Sequence, residues 1–140
     1  MRISYIIPTR NRPERLAETL RELERLPAHA AEIVIADNAS DEACVTVPEL
    51  RNGLPVRVIH LGENLGAAAR NLAAEASDPG SEWLVMLDDD SHPVDLGLLD
   101  VLARVESDVL GVSADIELPR EGRRESGGLP EVFIGCGVAL

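Results

Sequence analysis

Lysine is absent from this chain of 140 residues, and all 13 basic residues are arginine. That absence argues against two chemistries that otherwise suit carboxylates at strand ends. A phosphoaspartyl receiver and a haloacid-dehalogenase phosphatase both rely on a lysine. Aromatic residues are nearly missing too, at 2%, so a core has to be built from Leu, Val, Ile and Ala. The two cysteines, Cys44 and Cys136, lie far apart without C-x-x-C spacing or a histidine cluster. They read as buried free thiols in a reducing compartment rather than as a disulfide framework or a zinc site. No apolar run approaches membrane-spanning length, and Pro8 interrupts the opening segment too early for a signal peptide. A cytoplasmic protein is expected, at most peripheral to a membrane. Positive charge is also short: 25 acidic residues leave a formal net charge of −12, which argues against nucleic acid as a partner. An anionic ligand would need local help from arginine, backbone N–H groups or a divalent cation.

What is present reads as a single domain over residues 1–140. Residues 3–7 are β-branched and apolar, a first strand closed by Pro8 and emptying into Thr9-Arg10-Asn11-Arg12. Pro13 suits the first position of a helix, Leu16, Leu20, Leu23 and Leu26 recur at helical spacing, and Pro27 ends it. Residues 32–36 form a second buried strand, which delivers Asp37-Asn38-Ala39-Ser40-Asp41. A short helix is predicted over 46–52 and a third strand over 56–61, in which His60 is a strand histidine without chemistry. Asn64 and Gly66 open an alanine-rich helix to Ala76 that carries Arg70. A fourth strand over 82–87 contains Trp83 as a core residue, followed by a helix over 96–105 and a strand over 109–114. The polar stretch 119–130 reads as a mobile loop, and 132–140 as an apolar strand whose edge invites pairing with a second copy. Within it, Gly135 and Gly137 would admit a close backbone approach or mark a bulge. The alternation of strands and helices predicts a Rossmann-like α/β fold, mostly parallel, with helices on both faces.

The fourth strand stops in Asp88-Asp89-Asp90. On an extended backbone Asp88 and Asp90 point to one side and Asp89 to the other, which offers two oxygen ligands to a hard cation. Without a cation, like-charge repulsion would raise the pKa of at least one member. His92 follows closely, but imidazole is a poor partner for Mg²⁺.

In a parallel sheet, the loops at strand carboxyl ends line one rim. The loops 9–12, 37–41, 64–70 and 88–90 would therefore converge. Together they suit a nucleoside diphosphate: a carboxylate and a hydroxyl for a base edge, arginine for base or phosphate, and the acidic triplet for a divalent ion. No glycine-rich loop follows the first strand, which argues against a dinucleotide fingerprint and a sugar nucleotidyltransferase.

In order, Pro8-Thr9-Arg10-Asn11-Arg12, Asp37-Asn38-Ala39-Ser40-Asp41, Asn64-Leu65-Gly66 through Arg70-Asn71, and the DxD-like Leu87-Asp88-Asp89-Asp90 resemble the motifs of family 2 glycosyltransferases. The resemblance is to the donor-binding half of those GT-A enzymes and covers nearly the whole chain. It implies a nucleotide-sugar site of Pro8, Thr9, Arg10, Arg12, Asp37, Asn38, Asn64, Gly66, Arg70, Asp88 and Asp89. Thr9, Asp37 and Arg70 would contact the nucleoside, with Asp37 on the base. Asp88 would face the ribose or the metal, and Asp90 would coordinate Mn²⁺ or Mg²⁺ against the diphosphate, making Asp88 and Asp90 the metal ligands. The implied reaction is inverting transfer from a UDP- or dTDP-sugar to the hydroxyl of a glycan, lipid-linked or small-molecule acceptor. The family's catalytic base comes from the second half of the fold. Here no Asp follows Asp115, and Asp115 and Glu117 read as surface residues. The expectation is a donor-binding portion truncated before the acceptor half, lacking its base. The alternative is a non-catalytic nucleotide-binding or assembly module of the same fold.

Overall fold

A computed structural model describes residues 1–118, 121–124 and 137–140. Its central sheet has the strand order β3-β2-β1-β4-β8-β5, formed by β1 (Ile3–Thr9), β2 (Glu32–Asp37), β3 (Val56–His60), β4 (Trp83–Met86), β5 (Val112–Ser113) and β8 (Val138–Ala139). A separate antiparallel pair joins β6 (Glu117–Leu118) to β7 (Arg123–Arg124). The helices are α1 (Pro13–Arg25), α2 (Ala69–Ala76) and α3 (Gly97–Leu102), and a single 3₁₀ turn, Gly66–Ala68, precedes α2. None of the described helices is long and apolar enough to cross a membrane.

β1 and β2 are buried on both faces, which explains why their sequences are continuous apolar runs rather than alternating ones. Ile3, Tyr5 and Ile7 of β1, with Ile33 and Ile35 of β2, pack against Leu16, Leu20 and Leu23 of α1. The opposite faces present Ile6, Val34 and Ala36 to Ala69 and Ala73 of α2. The leucine face of α1 and the alanine face of α2 thus cover the two sides of one parallel sheet, and the core is aliphatic. Trp83 is only half-buried and packs at the margin of the α1-side cluster. Cys44 is half-buried and unbridged, whereas Cys136 lies outside the described residues.

Three expectations about secondary structure are corrected. Residues 46–52 form no helix. The chain folds back instead, with Leu50 N–H donating to Leu54 O at 2.9 Å, Val56 N–H to Pro48 O at 2.8 Å, and a bridge between Glu49 and Pro55. Pro48 cannot supply a helical N–H, and the Asn52 side chain holds the turn against α1 by donating to Leu23 O and Leu26 O at 2.9 and 2.8 Å. The strand predicted over 109–114 shrinks to β5, and α3 covers only part of 96–105. Val109 and Leu110 are exposed.

The third correction concerns the sheet. β5 does not continue the parallel series beside β4, because β8 lies between them and runs antiparallel to both. Leu84 N–H donates to Leu140 O and Leu140 N–H to Leu84 O at 2.8 and 3.0 Å, so β8 is paired on both sides and is not the exposed edge that a self-association model requires. Gly137 enters β8 at φ +69°, and a Cβ there would fall 2.7 Å from Ile116 Cδ1. The backbone needs glycine at that point. The stretch read as a mobile loop contains β7, which pairs with β6; its residues 119–120 and 125–130, together with 132–136 including Gly135, lie outside the described residues.

Candidate functional site

β4 ends at Met86, so the acidic triplet is not extended. It forms a turn, in which Ser91 N–H donates to Asp88 O at 3.2 Å and Asp88 N–H donates to Ser91 Oγ at 2.8 Å. The alternation predicted for an extended backbone therefore does not apply, yet the turn itself separates the three carboxylates. The Asp89 side chain is 5% exposed, while those of Asp88 and Asp90 are 43% and 48% exposed.

Asp89 points inward and joins three elements. Thr9 Oγ1 donates to its Oδ2 at 2.8 Å, Arg12 Nη1 lies 2.7 Å from its Oδ1, and Thr19 Oγ1 donates to its carbonyl at 2.9 Å. Burial pushes the Asp89 carboxyl above its usual pKa, and the Thr9 and Arg12 contacts offset only part of that. Arg12 also reaches outward, with Nη2 2.5 Å from Asp90 Oδ2, and this hydrogen bond raises the guanidinium pKa further. Asp88 is paired with Arg70, whose Nε is buried and without a partner.

At the end of β2, Asp37 is 3% exposed. Ser40 N–H donates to its Oδ1 at 3.1 Å, Cys44 N–H to its Oδ2 at 2.8 Å, and His60 Nδ1 lies 3.1 Å from the same Oδ2. Burial alone would push the Asp37 carboxyl up; the hydrogen bonds from Cys44, Ser40 and His60 outweigh it and hold the pKa below the usual value. Burial, and secondarily the charge of the same carboxylate, raises the pKa of the Cys44 thiol. His60, expected to be inert, is thus a partner of Asp37 because parallel register places the two opposite each other.

The remaining predicted residues connect the loops. Asn38 Oδ1 accepts from Leu65 N–H at 2.7 Å and its Nδ2 donates to Gly66 O at 3.1 Å. Asn64 Oδ1 accepts from Gly66 N–H at 3.0 Å, where the chain takes φ +56°. Arg10 Nε donates to Ala39 O at 3.3 Å rather than projecting freely, and Asn11 exchanges hydrogen bonds with Asp41 at 3.0 and 2.7 Å. Asn11 and Ala39 both have left-handed backbones, at φ 54° and 56°, so the two loops meet through non-glycine residues in a conformation that costs of order 1 kcal/mol. Pro8 stays within β1, opposite Ala36.

All four loops thus join in one network at the carboxyl ends of the parallel strands. Sequence reasoning missed Thr19, Ser91 and the backbone N–H of Cys44. Thr19 carried a signal, as a polar residue on the buried leucine face of α1. The other two depend on turn geometry and left none. Beside the network, a groove of about 630 Å³ runs between α1 and residues 40–47, with Thr9 and Arg12 at one end. A second, of about 620 Å³, brings His92 and Asp90 together with Arg12, Arg15 and Glu18.

Among the described residues no three His, Cys, Asp or Glu side chains converge into a metal cage. The outward carboxylates of Asp88 and Asp90 are a hard-oxygen donor set of the kind that holds Mg²⁺ or Mn²⁺ jointly with ligand phosphates and water. The residues present fit such an ion.

Known proteins share both the pattern and the fold. The chain is 36% identical over 89 residues to an uncharacterized glycosyltransferase of Haemophilus influenzae, covering 63% of this chain and 29% of that one. TarS of S. aureus, solved in complex with UDP-GlcNAc, aligns with a TM-score of 0.57 and 25% identity over 74% of this chain and 30% of its own. The fold also matches the mannosyltransferase PcManGT of Pyrobaculum calidifontis, solved with GDP-Man and Mn²⁺, at a TM-score of 0.67 and 24% identity, over 86% of this chain and 36% of that one. The chain spans about a third of the length of these relatives. The family described as Glycosyl transferase family 2 matches residues 4–128, which include every loop of the rim, and the chain belongs to that family.

Proposed function

We propose that this chain is the donor-binding portion of an enzyme that transfers a sugar from a nucleoside diphosphate to an acceptor hydroxyl with inversion. The observation that carries the reading is the linkage of loops 9–12, 37–41, 64–70 and 88–90 into one rim, with one carboxylate at the β2 end and two outward carboxylates at the β4 end. The TarS complex with UDP-GlcNAc supports a nucleotide-sugar ligand, and a UDP- or dTDP-sugar is the donor class.

Asp37 accepts from the imino N–H of a uracil, thymine or guanine base, on the side where the exposed His60 now reaches it. Arg70, its Nε unpartnered, pairs with nucleoside or phosphate oxygens. Asp88 and Asp90 would hold Mn²⁺ or Mg²⁺. When bound, the ion offsets the negative charge that builds on the leaving diphosphate. Asp89 contributes indirectly: bound to Thr9, Arg12 and Thr19, it sets the position of its two neighbours. The base that removes the acceptor's proton is supplied from outside the rim described here, and the acceptor is a glycan, a lipid-linked sugar or a small molecule.

Thermal-shift titration with UDP, dTDP and GDP, with and without Mn²⁺, tests the reading. Metal-dependent stabilisation by at least one nucleotide is expected. No stabilisation by any of the three, with or without Mn²⁺, would refute a nucleotide-sugar site.

A further inference from the structure

The carboxylates assigned to the cation are already covered by positive charge. Arg12 spans one of them and its buried neighbour, with Nη1 2.7 Å from Asp89 Oδ1 and Nη2 2.5 Å from Asp90 Oδ2. A planar guanidinium suits this two-acceptor geometry, and an ammonium does not. The two arms differ in what holds them. The inner arm meets a buried carboxylate fixed by Thr9, next to a carbonyl fixed by Thr19. The outer arm meets a half-exposed carboxylate, and Arg12 is itself 46% exposed, so this contact opens directly to water. The backbone is anchored, since Arg12 O accepts from Leu16 N–H at 3.1 Å at the start of α1, and any movement of the arm is therefore a side-chain movement.

We propose that Arg12 is a resident counter-cation that masks Asp90 in the ligand-free protein, so that metal and nucleotide bind together and metal alone binds poorly. This inference rests on the metal role assigned to Asp90 above. A divalent ion approaching Asp90 meets a guanidinium within hydrogen-bonding distance of the same oxygen, and the two positive charges repel. A diphosphate changes the balance by giving the guanidinium an alternative bidentate partner and bringing enough negative charge for both cations. Arg70 covers Asp88 in a similar way, but it is mostly buried and makes one ion pair. Arg12 has the exposed arm and a second anchor to return to.

The consequence separates this role from simple phosphate binding. An arginine that only bound diphosphate would, when removed, weaken nucleotide affinity and leave the metal affinity of the ligand-free protein unchanged. Mn²⁺ titrations followed by electron paramagnetic resonance, on the wild-type chain and on Arg12→Gln, with no nucleotide and with UDP or GDP, read the difference. The wild type is expected to gain at least about tenfold in Mn²⁺ affinity when nucleotide is present. Arg12→Gln is expected to bind Mn²⁺ alone at least about tenfold more tightly than the wild type and to lose most of that gain. Arg12→Lys, which keeps the charge but not the fork, should fall between them, and it carries the test if the Gln variant does not fold. Equal or weaker Mn²⁺ binding by a folded variant overturns the proposal, as does a wild type that binds Mn²⁺ equally well with and without nucleotide. Should the wild type bind no Mn²⁺ even with nucleotide, the metal reading itself fails and takes the inference with it.

Discussion

At the β2 end of the rim, Asp37 is held mainly by the backbone N–H groups of Ser40 and Cys44, whereas at the β4 end Asp88 and Asp90 are held by the side chains of Arg70 and Arg12. Backbone donors cannot leave without refolding the loop, while guanidinium groups on long side chains exchange partners. Exposure follows the same division, at 3% for Asp37 against 43% and 48% for Asp88 and Asp90. Under the proposed function, the carboxylate with a permanent task is wired to the main chain, and those that would exchange partners are paired with side chains. Asp89 shares the burial of Asp37, at 5% exposure, but its carboxylate is held by the side chains of Thr9 and Arg12.

Several measurements would sharpen or break that division. The largest effect is expected for Asp90→Ala, which should abolish the Mn²⁺-dependent part of nucleotide binding in thermal shift while the ligand-free protein melts near the wild type. Retained metal dependence would remove Asp90 from the metal site. Next, Asp37→Ala should lower the unfolding free energy by about 3 kcal/mol in urea, because buried donors lose their acceptor. A loss below about 1 kcal/mol would mean that the β2 end is as exchangeable as the other.

The pH dependence of that loss has a definite sign. Folding lowers the Asp37 pKa, so the stabilisation is complete above the unfolded value, about 4, and is lost as pH falls below it through the folded value. The stability gap between the wild type and Asp37→Asn should therefore narrow from pH 7 to pH 3. A constant gap would show that the charge of Asp37 contributes nothing. Thr19→Val should cost about 1 kcal/mol through the lost bond to the Asp89 carbonyl, and should also weaken nucleotide binding by shifting the turn. The smallest effect is expected for Arg10→Ala, since its exposed contact with Ala39 O should leave the unfolding midpoint unchanged.

Much of this was legible in the residues. Apolar runs closed by Pro8 and Asp37 marked β1 and β2, and the leucine spacing from Leu16 marked α1. The order of polar loops alone places Thr9, Asp37 and the aspartates at strand ends and Arg70 on the helix after the third strand. Elsewhere local preference was overridden. Residues 46–52 had the composition of a short helix, but the turn at Gly53 and the Asn52 contacts to α1 folded them back. His60 looked inert, because nothing local relates it to Asp37 across a strand pair.

By itself the sequence determined the periodicities, and with them β1, β2 and α1 and which loops fall at the carboxyl ends of the strands. Those are short-range properties of side-chain spacing. Only the tertiary structure decided that β8 enters between β4 and β5, that the aspartate triplet is a turn with its middle member buried, and that Arg12 lies across Asp89 and Asp90. These outcomes depend on contacts between residues distant in sequence, such as Val85 with Ala139 and Thr9 with Asp89, whose pairing no local pattern encodes.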